Sequence, residues 1–153
     1  MQHKINSLRD RMKENNVDLV VLGPGTHMRW LIGFNPYPDE RPCMLLIGKE
    51  KETFLMPSVN EEGMKEKTSI TMHAWSDADG PDQALLNALS FTGSSNAKHI
   101  VIDEAMRSHF ALIVIEALSN PTYEFTGSTI GALRMRKDQT EFINLKENAL
   151  IDD

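Results

Sequence analysis

Five histidines, one cysteine and a few carboxylate pairs are the residues of this chain that can do chemistry. His3, His27, His73, His99 and His109 are scattered, and none stands at i, i+4 from another histidine, the spacing of a helical metal site. Each is expected at the surface or flanking a strand. The single Cys43 excludes an internal disulfide and a cysteine-based zinc site. It lies in the apolar run Pro42 to Ile47, where a buried, inert thiol is expected. "GPG" (23–25) follows an apolar run but lacks the further glycines of a phosphate loop, so it reads as a turn. "GSTIG" (127–131) has Thr where a nucleophile elbow needs Ser. Asp77 and Asp79 sit in "DADGPD", without a Glu at the distance a cation loop requires, and read as a turn and helix start. Asp39–Glu40 and Glu61–Glu62 read as solvated pairs. On these residues alone the chain is an α/β domain without a visible active site.

The elements that must position such residues alternate. Ile5, Leu8 and Met12 mark a first helix ending near Asn15 and Asn16. "DLVVL" (18–22) is a short apolar strand, and "THMRWLIG" (26–33) a short helix with Thr26 as cap and Gly33 as stop. "CMLLIG" (43–48) and "TFLM" (53–56) flank a polar stretch and predict a hairpin. Ser58 and Glu61 have capping-box spacing ahead of a short charged helix. "ITMHA" (70–74) is a weak strand. Pro81 opens a helix that carries Ala84, Leu85, Ala88 and Leu89. "TGSSNA" (92–97) is a loop and "HIVI" (99–102) a buried strand. Met106, Phe110, Ile113, Val114 and Ala117 share a helical face, and "TYEFT" (122–126) is a last strand. Strands alternating with helices predict an α/β layer fold, and the hairpin makes its sheet mixed.

Composition bounds the partners. A net charge of −6 over 153 residues argues against nucleic-acid and anionic-membrane surfaces, which require clustered Lys and Arg. The polar N-terminus does not read as a signal peptide, and no apolar run approaches a membrane span; a cytoplasmic protein is expected. The C-terminus reads like a beginning. Asp138 with Glu141 can cap a helix whose face is Phe142, Leu145, Ala149 and Leu150, yet no stop signal follows.

The order of segments carries more than any single motif. "VDLVVLGPGTHMRWLIGF", with its aromatic-Leu-x-Gly-Phe ending at Trp30–Phe34, resembles the opening strand, turn and helix of the N-terminal domain of the creatinase/prolidase family. These are the pita-bread metallohydrolases that include Xaa-Pro dipeptidases and aminopeptidase P. "RPCMLLIGKEKETFLMP" is similar to the hairpin that follows, "HAWSD" to the segment before the middle helix, and "HIVIDEAM" to a strand ending in an acidic residue. "STIGALRMRKDQTEFINLKENALIDD", with its Leu-Arg-x-x-Lys, resembles the link into the catalytic domain.

The resemblance implies a mixed sheet of about six strands with helices on both faces, a ribonuclease H-like layering. It divides the chain into a domain over residues 1–132 and, over 133–153, a linker and first helix of an absent catalytic domain. That second domain would hold a divalent metal pair (Mn, Co or Zn) on two Asp, one His and two Glu; this chain has none of those motifs, so no catalytic residue, metal or cofactor is assigned to it. The parent chemistry would be metal-activated water attacking an amide or amidine carbon. The domain itself would serve homodimerisation, pack on its own catalytic domain, and lend residues to a small peptide or small-molecule substrate held by the neighbouring subunit. Arg41, in the position just before the hairpin strand, matches the arginine that reaches the substrate carboxylate in creatinase-like members. Its other reading is a surface arginine paired with Asp39 or Glu40. Tyr37 either closes the pocket or is a plain loop aromatic, and Trp30 is expected in the core or an interface. Three readings of the protein remain open: an Xaa-Pro peptidase N-domain, the N-domain of a creatinase-like amidinohydrolase, and a stand-alone assembly module.

Overall fold

Apolar side chains that alternate along each strand need cover on both faces of a sheet, and that requirement shapes this domain. A computed structural model describes residues 1–135 and, beyond them, Phe142, Ile143 and Lys146. Six strands form one sheet: β1 (Leu19–Leu22), β2 (Met44–Gly48), β3 (Glu52–Pro57), β4 (Met72–Trp75), β5 (His99–Ile102) and β6 (Thr122–Phe125), in the order β4-β3-β2-β1-β5-β6. The β2–β3 hairpin is antiparallel and β2 runs antiparallel to β1, while β1–β5, β5–β6 and β3–β4 are parallel. The helices are α1 (Gln2–Glu14), α2 (Thr26–Ile32), α3 (Glu61–Lys65), α4 (Asp82–Phe91), α5 (Ser108–Ala117) and α6 (Ile130–Met135). The mixed α/β sheet of six strands is the one the sequence predicts.

Strand residues split between two cores by parity. Val20, Leu22, Leu45, Ile47, Phe54, Met56 and Val101 meet α1, α2, Met64 of α3 and Ile130 of α6. Leu19, Val21, Met44, Leu46, Leu55, Ile100 and Ile102 meet α4 and α5. Phe54 is fully buried; an aromatic of that kind stabilises by roughly 1.5–3 kcal/mol relative to exposure. Trp30 is partly buried against the first core, with the Lys4 ammonium 4.2 Å from its ring centroid.

Local signals hold in part. Gly33 stops α2 in the left-handed region at φ 90°, a conformation costly for any residue with a Cβ. Thr26 is not the cap: Gly25 takes that place, and Thr26 is the first helical residue. Ser58 and Glu61 form no capping box, because Ser58 lies inside a 3-10 turn (Ser58–Asn60) whose Pro57 cap has no side-chain bond. β4 is set two residues late, and Met106 precedes α5 rather than belonging to it. A 3-10 turn (Thr126–Ser128) and α6 follow β6. α6 straddles residues 132 and 133. The helix expected from Asp138, with the face of Leu145, Ala149 and Leu150, lies outside the described residues. No helix of the described residues is long and apolar enough to cross a membrane.

Candidate functional site

Every strand but β2 points the same way, so five carboxyl ends share one rim of the sheet. In open α/β sheets, ligands bind outside such ends. Two clusters stand on this rim.

The first is closed. The turn "GPG" leads β1 into α2, and at Gly23 a Cβ would come within 2.8 Å of Met106 Cγ, so the glycine lets the β5–α5 loop approach. α2 buries His27, which is 8% exposed. Sequence reasoning placed this histidine at the surface or beside a strand; it is a core residue because α2 turns it toward the ends of β5 and β6. Its Nδ1 lies 2.9 Å from Arg134 Nη1 of α6, which also donates to Thr26 Oγ1 at 3.2 Å. A guanidinium only donates, so Nδ1 accepts and a neutral ring carries its proton on Nε2. That nitrogen faces Thr126 Oγ1 at 3.2 Å and Glu104 Oε1 at 3.4 Å. The Thr126 hydroxyl donates in turn to Glu104, at 2.8 Å to Oε2. Burial works to raise the Glu104 carboxyl, but bonds from its own amide, from Thr126 and from His27 outweigh it and hold the group below the usual range. Asp103, 2% exposed, accepts from the Ala105 amide at 2.9 Å, and burial pushes its carboxyl up.

One ligand atom each of His27, Asp103 and Glu104 lies within 4.8 Å of the others, which prompts a test for a metal. A metal-bound histidine donates its second ring N–H to an acceptor. Here a cation occupies that side, and the nitrogen facing the carboxylates carries the proton. These residues do not fit a metal ion; they form a hydrogen-bonded network that joins α2, β5, β6 and α6.

The second cluster is open. The loop between α2 and β2 is pinned by Trp75 Nε1, which donates to the Pro42 carbonyl at 2.9 Å, and by His109 Nε2, 3.2 Å from the Glu40 carbonyl. The Asp39 carboxylate accepts the Arg41 amide at 2.8 Å. The Arg41 side chain pairs with Asp77: Nε to Oδ1 and Nη2 to Oδ2, both at 3.0 Å. The pairing expected with Asp39 or Glu40 is met in part: Glu40 forms a longer ion pair with Arg41, while the β4–α4 turn brings Asp77 to the fork. Glu40 Oε1 remains 3.5 Å from Nη1. The hydrogen bonds from Arg41 hold the Asp77 carboxyl below its usual range. Tyr37 does not join this cluster. It is 84% exposed and lines, with Val59 and Met64, a groove of about 240 Å³. Cys43 is buried, and desolvation with the nearby Asp39 charge pushes its thiol up to about 12, an unreactive value. Of the remaining histidines, His3, His73 and His99 lie apart, on α1, β4 and β5. A cavity of about 460 Å³, lined among others by Arg9, Lys13 and Lys49, stands at the opposite rim, away from both clusters.

The model of the creatinase/prolidase N-terminal domain matches residues 4–136. The chain belongs to the creatinase/prolidase N-terminal domain family. Among solved structures the domain resembles a dipeptidase from Pyrococcus horikoshii OT3, with 25% identity and a TM-score of 0.76 over 90% of this chain and 38% of that one. A recombinant prolidase from Thermococcus sibiricus gives 22% identity and a TM-score of 0.79 over 92% of this chain and 38% of that one. The creatinase/prolidase N-terminal domain of an X-Pro dipeptidase from Streptococcus pyogenes gives 15% identity and a TM-score of 0.72, over 82% of this chain and 94% of that one. The chain thus spans 38% of the length of the dipeptidase and the prolidase. No curated protein matches the chain.

Proposed function

We infer that this creatinase/prolidase N-terminal domain works in a longer polypeptide, as the non-catalytic part of an Xaa-Pro dipeptidase-like metallohydrolase. In this reading it supports a homodimer and reaches, through Arg41, the carboxylate of a substrate held by the neighbouring subunit. The observation that supports it is the exposed guanidinium of Arg41 on the carboxyl rim, in a domain that resembles one from an X-Pro dipeptidase. The divalent metal pair belongs to the second domain; the described residues supply no donor set for it. When bound, that pair would supply an activated water. This domain would bind and orient. Tyr37, standing exposed on the same loop, would cover the substrate from the side.

The test is kinetic. Full-length protein carrying the second domain should hydrolyse Xaa-Pro dipeptides in preference to creatine. Arg41→Ala should lower kcat/KM for carboxylate-bearing substrates by about ten- to a hundredfold, the loss of one charge-assisted contact. Arg41→Lys should recover only part, because an ammonium lacks the fork. Full activity of Arg41→Ala at unchanged dimerisation would overturn the assignment.

A further inference from the structure

A guanidinium has two edges that can grip a carboxylate with a pair of parallel N–H groups: Nε with Nη2, and Nη1 with Nη2. In Arg41 the first edge is taken. Asp77 accepts from Nε and Nη2 at 3.0 Å each. On the second edge, Nη1 donates no hydrogen bond to any described residue; Glu40 Oε1 stands 3.5 Å from it, and Glu40 is 73% exposed. The main chain around Arg41 is held from three sides, by Trp75 at Pro42, by His109 at Glu40 and by Asp39 at the Arg41 amide. Pro36, Pro38 and Pro42 stiffen the same loop. Exposed ion pairs usually contribute little because two long side chains must be ordered; a bidentate pair on a pinned backbone escapes much of that cost.

We propose that Arg41 is a two-edged receptor, in which Asp77 is a positioning residue that holds the Nε/Nη2 edge and so presents the Nη1/Nη2 edge to a ligand carboxylate. The idea rests on the reading of Arg41 as a substrate contact and adds two roles to it. Asp77 fixes the plane of the fork. Glu40, beside Nη1, is a like-charged competitor that an incoming carboxylate must displace. The two acidic neighbours of one arginine therefore act in opposite directions: one prepares the fork and the other guards it.

The experiment compares an Xaa-Pro dipeptide with its C-terminal amide on the full-length protein, each variant first checked for an unchanged thermal midpoint. Asp77→Ala should raise KM for the dipeptide on the order of threefold to tenfold, with little change in kcat and little change for the amide. Asp77→Glu should restore part of the difference. Glu40→Gln should lower KM for the dipeptide alone. A merely structural role for the Glu40 ion pair would predict a loss or no change, not an improvement. If Arg41→Ala leaves the dipeptide-to-amide ratio untouched, Arg41 is no substrate contact and the underlying reading falls. If Arg41→Ala removes the preference while Asp77→Ala and Glu40→Gln leave it as in the unaltered protein, only the two-edged receptor falls.

Discussion

The network around His27 and the fork at Arg41 share one rim of the sheet, yet they differ in what they leave unsatisfied. At His27 both ring nitrogens, the Thr126 hydroxyl and the Glu104 carboxylate find partners within the domain. The buried His27 and Thr126 require this, since each orphan would cost its full desolvation, whereas the Glu104 side chain, 48% exposed, closes the network from the solvent side. At Arg41, among the described residues, one edge of the guanidinium is hydrogen-bonded to a side chain, the other has only the longer ion pair with Glu40, and the side chain is 36% exposed to water, where an open donor costs little. A cluster of titratable residues with every bond closed holds elements together. One with a prepared, open edge can receive a ligand.

Three measurements on the 153-residue chain would break or sharpen that contrast. The largest effect is expected from Thr126→Val. Thr126 is 1% exposed, and its hydroxyl links His27 to Glu104. Removing it takes away the nearer partner of the His27 N–H, which keeps only Glu104 Oε1 at 3.4 Å, and should lower the unfolding free energy by about 1 kcal/mol. Urea denaturation should show a lower midpoint at unchanged slope. An unshifted midpoint would mean that the network does not hold the fold.

A smaller effect is expected in acid. Glu104 binds its proton less tightly folded than unfolded, so its contribution is present above its ordinary value of 4.5 and is lost as pH falls through the lower folded value. Asp103 works in the opposite sense: burial raises its folded value, so its contribution is present below 3.8 and fades as pH rises through that higher value. Glu104→Gln should therefore flatten the acid side of a stability profile below pH 4.5, leaving the slope due to Asp18 and Asp77, both also shifted down. A profile as steep as the parent's would count against the Glu104 bonds.

The smallest effect belongs to Arg41→Ala, which should leave the urea midpoint of this chain where it was. A fall as large as that of Thr126→Val would make the fork a structural clasp and weaken its case as a receptor.

Much of the fold was legible because its signals are local. Period-two and period-3.6 hydrophobicity depends on neighbours a few residues away, and it gave the strands, the hairpin and most helices. Caps failed where a competing local geometry won: Pro57 led into a 3-10 turn, and Gly25 took the place of Thr26. The sites were less legible. His27 meets Glu104, Thr126 and Arg134 across separations of 77, 99 and 107 residues, which no window along the chain can join. Arg41 was singled out by its place before the hairpin, and its neighbour Glu40 does pair with it, but the bidentate partner Asp77 is 36 residues away and was not foreseen.

The amino-acid sequence by itself determined the alternation of elements, the mixed sheet and, through segment order, the family. It did so because burying apolar side chains on a repeating backbone leaves a periodic trace. Which carboxylate meets which cation was decided only when the parallel strands set their carboxyl ends on one rim. Packing chose Asp77 for Arg41 and buried His27 against Thr126, because hydrogen bonds depend on distance in space, and the chain must fold before that distance exists.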